Sequence, residues 1–190
     1  MERLFAALDL PDEIRDGLDA WSARELTDPA VRPVRAESLH MTVCFLGWTP
    51  PERVGEAMEV IRAVEPRPVK VRLLRGPVAK PPRRPSLFAI EAESPEAAVL
   101  AGEVSALYGE LGLAEDEKRP FWPHVTVARV RAEKSGGKSR RRRPQRVDRP
   151  PEALPEDLGG EFRAVRLCLY RSMVRRDGSQ YVPLCNLNLR

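Results

Sequence analysis

Histidine occurs only twice in these 190 residues, as His40 and His124, and threonine only four times. Cysteine occurs three times, at Cys44, Cys168 and Cys185, an odd number set in apolar runs. That spacing favours buried reduced thiols over a disulfide framework, and with it a cytoplasmic setting. No Cys-X-X-Cys, His-Glu-X-X-His or acidic loop is present, so no metal site is expected. No segment is long and apolar enough to span a bilayer. The opening Met1-Glu2-Arg3-Leu4-Phe5 lacks the basic start and unbroken apolar stretch of a signal peptide. No glycine-rich phosphate loop follows a strand, which argues against a doubly wound dinucleotide binder. Coiled-coil heptads and internal repeats are also missing, and a monomer is expected.

What is present suffices for a substantial core: 42% of residues are apolar and 32% charged. The length fits one domain over 1–190, built as two small lobes sharing a cleft. The net charge of +4 is uneven. Residues 134–149 hold eight Lys/Arg against one Asp, a local +7, which leaves −3 on the rest of the chain. This Gly/Ser/Pro-containing run reads as a flexible basic loop, either a simple solvated insertion or an arm that attracts polyanions.

The periodicities predict interleaved strands and helices. Strands are expected at 3–10, 39–47, 69–76, 86–92, 123–130, 162–172 and 179–189. Helices are expected after Pro11, after Pro50-Pro51 and after Ser94-Pro95, where Ser94 supplies an N-cap and Pro95 the first helical position. Arg176-Asp177-Gly178 reads as the turn of a closing hairpin. Short connections imply antiparallel pairing, so the fold class is α+β, with two related antiparallel-sheet lobes and outer helices.

Both histidines open the same tetrapeptide shape: His40-Met41-Thr42-Val43 and His124-Val125-Thr126-Val127. That both carry threonine two residues on by chance has odds of about 4 in 10,000. In a strand, residues i and i+2 share a face. His40 therefore projects with Thr42 and His124 with Thr126, while Met41, Val43, Val125 and Val127 turn to the other face. Imidazole titrates near neutrality, so one histidine can accept a proton while the other donates one. Threonine hydroxyls beside them can hold non-bridging phosphate oxygens. Displacement at a phosphodiester uses these groups and needs no cofactor. The residues supply the pair but not the order of roles.

At these motifs the chain resembles the 2H phosphoesterase superfamily, and more closely the bacterial RNA 2′,3′-cyclic phosphodiesterases, the LigT/ThpR or 2′-5′ RNA ligase family. The resembling blocks are RLFAALDLPDEIRDGL (3–18), PVRAESLHMTVCFLG (33–47), RPFWPHVTVAR (119–129) and LYRSMVRRDGSQYVPL (169–184). The resemblance implies a bilobal fold with the motifs facing across a central cleft. It implies hydrolysis of a terminal 2′,3′-cyclic phosphate on RNA to a 2′-phosphate, with His40 as proton donor and His124 as proton acceptor. It also implies a reversible 2′-5′ joining of RNA ends.

Further candidates are Arg129, Ser172, Arg171 and Tyr181 as substrate contacts, and Phe5, Trp122 and Tyr181 as a base-stacking surface. Strict alternation from His124 sends Arg129 to the opposite face, where a structural ion pair competes with a phosphate contact. Two rival functions use the same residues. One is a phosphodiesterase of small cyclic nucleotides or 2′-5′ oligonucleotides. The other is a non-catalytic RNA-binding module built on the basic tract.

Overall fold

The computed structural model describes residues 1–114, 119–133, 143–175 and 178–189. The chain begins with β1 (Glu2–Asp9) and α1 (Asp12–Glu25), whose first turn carries Asp12 and Glu13 and whose last carries Arg24, each complementing the helix dipole. The short β2 (Val31–Pro33) leads into β3 (His40–Thr49), and Pro51 starts a 3₁₀ turn that runs into α2 (Val54–Ala63). Then come β4 (Lys70–Lys80), β5 (Leu87–Glu93) and α3 (Pro95–Glu110). As expected, the Ser94 hydroxyl caps α3, accepting from the Ala97 amide at 3.0 Å. Four strands complete the chain: β6 (His124–Val130), β7 (Glu161–Arg163), β8 (Arg166–Arg175) and β9 (Gly178–Asn188). Arg176 and Asp177 of the expected hairpin turn lie outside the described residues. The three-residue strands β2 and β7 are too short to show a period, which is why sequence patterning does not reveal them.

Among the described residues, nine strands form one antiparallel sheet in the order β7-β4-β5-β6-β3-β1-β8-β9, with β2 added on β6. The order read across it is two matching quartets, β3-β1-β8-β9 and β6-β5-β4-β7, meeting at β3 and β6. The expected lobes are thus halves of a single curled sheet. Each has a histidine strand innermost and a central strand, β1 or β5, beside it.

One face of the sheet is sealed by helices. α2 packs on β8 and β9, and α3 on β3, β4 and α2, where the Tyr108 hydroxyl donates to the Ala57 carbonyl at 2.9 Å. Leu4, Ala6 and Leu8 of β1, Met41 of β3 and Val125 of β6 point into this core and are fully buried. The seam between the quartets is narrow, with Met41↔Val125 its single registered pair. Cys44 and Cys168 are buried and Cys185 partly so, all unpaired. Burial pushes the Cys168 thiol up to about 12, so it stays protonated and inert. Among the described residues no helix is long and apolar enough to cross a membrane.

Of the basic tract, residues 134–142 lie outside the described residues. The remainder is tied down. The Gln145 amide donates to the Arg131 carbonyl at 2.8 Å, and the Asp148 and Arg149 amides donate to one buried Asp28 oxygen at 2.8 and 2.9 Å. The other Asp28 oxygen accepts from the Ala30 amide. These backbone donors outweigh burial and hold the Asp28 carboxyl below its usual range.

Candidate active site

Register places the two motifs beside each other. Met41 pairs with Val125 across the antiparallel seam, and continuing that register by one residue each way sets His40 toward Thr126 and Thr42 toward His124. Each imidazole therefore neighbours the hydroxyl of the other motif, on the sheet face opposite the helices. Directly opposed residues in such a pair sit about 5 Å apart and diagonal ones about 7–8 Å. On that register the two imidazoles occupy a diagonal, near enough for His124 to act electrostatically on His40. Met41, Val43, Val125 and Val127 turn into the core, as alternation predicts, and anchor the square from behind.

The tautomer of each histidine is fixed by its backbone. His40 Nδ1 lies 2.7 Å from the Ser38 carbonyl and His124 Nδ1 lies 2.7 Å from the Trp122 carbonyl. A carbonyl only accepts, so Nδ1 carries the hydrogen in both rings and Nε2 is left for chemistry. Both contacts run from residue i to i−2, so each ring is anchored by the backbone just before its own motif. Nothing in the residue types signals it.

A carboxylate stands across from each imidazole. Asp9 pairs with His40 and Glu91 with His124 in the register. Asp9 is buried and accepts from the Tyr170 hydroxyl at 2.6 Å and from Arg166 Nε at 2.5 Å. Glu91 accepts from Trp122 Nε1 at 2.7 Å. Burial dominates the titration of both histidines. It brings His40 down to about 4, against the opposing pull of the Ser38 carbonyl and Asp9. It lowers His124 too, opposed by the Trp122 carbonyl and Glu91, with Arg129 adding to the depression of both rings.

Aromatic side chains lock the rings. Phe5 lies 5.0 Å from the His40 ring and Tyr181 meets it edge-on at 5.1 Å. Trp122 stacks on His124 at 3.7 Å, with the Lys80 ammonium over the Trp122 ring at 4.8 Å from its centroid. Phe5 is only 3% exposed, so it buttresses His40 and offers no open stacking surface.

Two further expectations change. Arg129 does not lie on the face opposite His124. The register slips between Phe88 and Ala89, so Val127 bulges and Arg129 pairs with Leu87. A bulge resets alternation by one residue, and Arg129 returns to the side of His124 and Thr126. It borders a depression of about 240 Å³ with Arg32 and Arg131. Arg171, by contrast, pairs with Leu4 on the core-side face and is ion-paired to Glu2 at 2.9 Å, away from the cleft. Ser172 and Tyr181 are cross-strand partners and lie on the cleft face, in the row of Arg3. A second, larger depression of about 350 Å³ between α2 and α3, floored by Val60 and Leu107, is on the helical side and does not touch the histidines.

Two imidazoles with Nδ1 held by backbone carbonyls and Nε2 left open come together at the seam of the sheet, each in a motif that carries a threonine two residues on. The family profile described as LigT like Phosphoesterase matches residues 8–88. A curated RNA 2′,3′-cyclic phosphodiesterase from Archaeoglobus fulgidus is 33% identical over 131 residues, covering 68% of this chain and 73% of that protein. The protein of the same name from Escherichia coli K12 is 28% identical over 195 residues, covering 96% and 94%. A crystal structure from Thermus thermophilus superposes with a TM-score of 0.78 at 29% identity, covering 99% of this chain and 98% of that one. Escherichia coli LigT complexed with 3′-AMP gives 0.75 at 26% identity, with the same coverage. The chain belongs to the LigT-like phosphoesterase family.

Proposed function

We propose that the protein is an RNA 2′,3′-cyclic phosphodiesterase that opens a terminal cyclic phosphate to a 2′-phosphomonoester. The observation that carries this reading is the Met41↔Val125 pairing, which brings the two His-X-Thr motifs side by side across the seam. A cyclic phosphate seated there places phosphorus between the two Nε2 atoms. Neutral His124 accepts a proton from water as the water oxygen bonds to phosphorus. The bond from phosphorus to the 3′ oxygen breaks, and protonated His40 gives that oxygen its proton, leaving a free 3′-hydroxyl. The histidines finish with their protons exchanged and reset through solvent. The Thr42 and Thr126 hydroxyls and Arg129 hold the non-bridging oxygens as charge builds on them.

The donor role of His40 rests on the family resemblance, and the site is compatible with it. Burial keeps His40 neutral in the unliganded protein, and an entering phosphate anion favours its imidazolium. The same acid and base, with an RNA 5′-hydroxyl in place of water as the nucleophile, join the cyclic phosphate to a second strand through a 2′-5′ linkage and again free the 3′-hydroxyl.

The test is phosphorus NMR of a 2′,3′-cyclic nucleotide incubated with the protein and a chelator. The expected product is the 2′-phosphate alone, with metal chelation harmless. His40→Ala and His124→Ala are each expected to lower turnover at least 100-fold with unchanged circular dichroism. A 3′-phosphate product, or substantial activity in either variant, contradicts the proposal.

A further inference from the structure

Two large aromatics on β3 stand in solvent beside the catalytic square: Phe45 is 61% exposed and Trp48 66%. Alternation from His40 sends Phe45 to the wrong face, but β3 carries two register shifts against β1, skipping Val43 and Leu46. After them Phe45 pairs with Phe5 and Trp48 with Arg3. Phe5 lies on the cleft side against His40, and Arg3 shares its parity along a β1 strand that pairs with β8 without a break. His40, Thr42, Phe45 and Trp48 thus form one line on one face of one strand. The second shift passes through Gly47, which sits at φ +72°, a conformation costly for other residues.

The matching line on β6 is different in chemistry. His124, Thr126 and Arg129 occupy the places of His40, Thr42 and Phe45, so the residue after the bulge is a cation on one lobe and an aromatic on the other. Because the strands are antiparallel, the two lines leave the square toward opposite ends of the cleft. One arm is aromatic, with Arg3 and Ser172 beside Trp48 in the next strands. The other is cationic, with Lys80, Arg129 and Arg32 in a lateral row through Leu87.

We propose that the aromatic arm is a stacking track for the nucleotides that precede the cyclic phosphate, making a single-stranded RNA end the preferred substrate over a cyclic mononucleotide. This rests on the function proposed above and specifies its substrate. Single-stranded RNA is held by bases stacked on aromatic faces beside cations that meet the backbone. Here the track is continuous with the phosphate site, Phe45 is the nearer platform and Trp48 the farther, and Arg3 supplies the charge. The terminal base reaches Phe45, and only a longer strand reaches Trp48.

The experiment compares kcat/KM on a 2′,3′-cyclic mononucleotide and on an oligoribonucleotide ending in a 2′,3′-cyclic phosphate. The wild-type protein is expected to prefer the oligonucleotide. Trp48→Ala is expected to lose roughly 5- to 100-fold on the oligonucleotide and less than about threefold on the mononucleotide. Phe45→Ala is expected to weaken both, and Trp48→Phe to recover most of the loss. Equal losses on both substrates, or none on the oligonucleotide, overturn the track. So does a concentration-dependent mass that Trp48→Ala abolishes while RNA kinetics stay intact, since the face is then a self-association surface. A wild-type protein that cleaves both substrates equally sinks this inference alone, whereas one that cleaves neither sinks the function it rests on.

Discussion

Burial sets the resting state of both histidine rings, and this has consequences for pH. An acid–base pair is most active between the pKa values of its two members, and kcat/KM reports those of the free enzyme. Both imidazoles are pulled below 6.5, His40 to about 4, so kcat/KM on a cyclic mononucleotide is expected to peak below pH 6.5. A maximum at pH 7.5 or above would contradict the burial argument. The same shift is a stability term. Below pH 6.5 the unfolded chain protonates its histidines while folded His40 resists, so acid favours unfolding until about pH 4. By pH 5 the loss from His40 is about 2 kcal/mol. His40→Gln removes this term, and its melting temperature should fall less between pH 7 and pH 5 than that of the wild-type protein. Parallel falls in the two proteins would show that His40 is not the titrating group. At this scale the sequence was highly legible. With two histidines in the whole chain, the partners Thr42 and Thr126 followed from parity. The carbonyls of Ser38 and Trp122 did not, because a backbone acceptor leaves no trace in residue type.

Bulges are the element-scale feature that strict alternation misses. The shifts in β3 and β6 each occur three residues after a histidine and return Phe45 and Arg129 to the cleft. Strict alternation would likewise put Cys44 beside His40, whereas the Val43 bulge turns it into the core. Gly47 reads in the sequence as the end of the strand, whereas β3 runs on to Thr49 and the glycine lies at a bulge, a place where strand glycines are often found. Helices, by contrast, were legible to within a few residues because Pro11, Pro51, Ser94 and Pro95 punctuate their starts. Gly47 gives the bulge a direct test. A Cβ there meets no atom within 4 Å, so only the left-handed backbone opposes substitution. Gly47→Ala is expected to lower the unfolding free energy by about 1–2 kcal/mol and Gly47→Asn by less, read from urea midpoints. If alanine instead stabilises the protein, as glycine replacement in a regular strand does, Gly47 is not held in that conformation.

The whole molecule is two quartets of strands with one shared core, and this explains how a site can lie on a seam only one registered pair wide. Met41 and Val125 form that pair on the backbone, and their side chains are fully buried on the helical side. The apolar residues of both quartets join one continuous cluster with α1, α2 and α3. Sequence grammar showed two related halves but not their fusion, because strand order across a sheet depends on pairings between distant segments. β3 meets β6 across a long stretch of intervening chain, and β8 and β9 return from the end of the chain to complete the first quartet. Such a seam cannot yield without moving His40 relative to His124. Met41→Ala leaves a cavity directly beneath the square and should cost about 2–5 kcal/mol. If the quartets are one cooperative unit, the variant unfolds in a single urea transition with a lower midpoint and an unchanged slope. Its kcat should fall more than its KM rises, since the loosened pair misaligns acid and base without removing a phosphate contact. Two separate transitions would instead mean that each quartet is stable alone, and that the two histidine motifs are held together by the fit of two independent bodies.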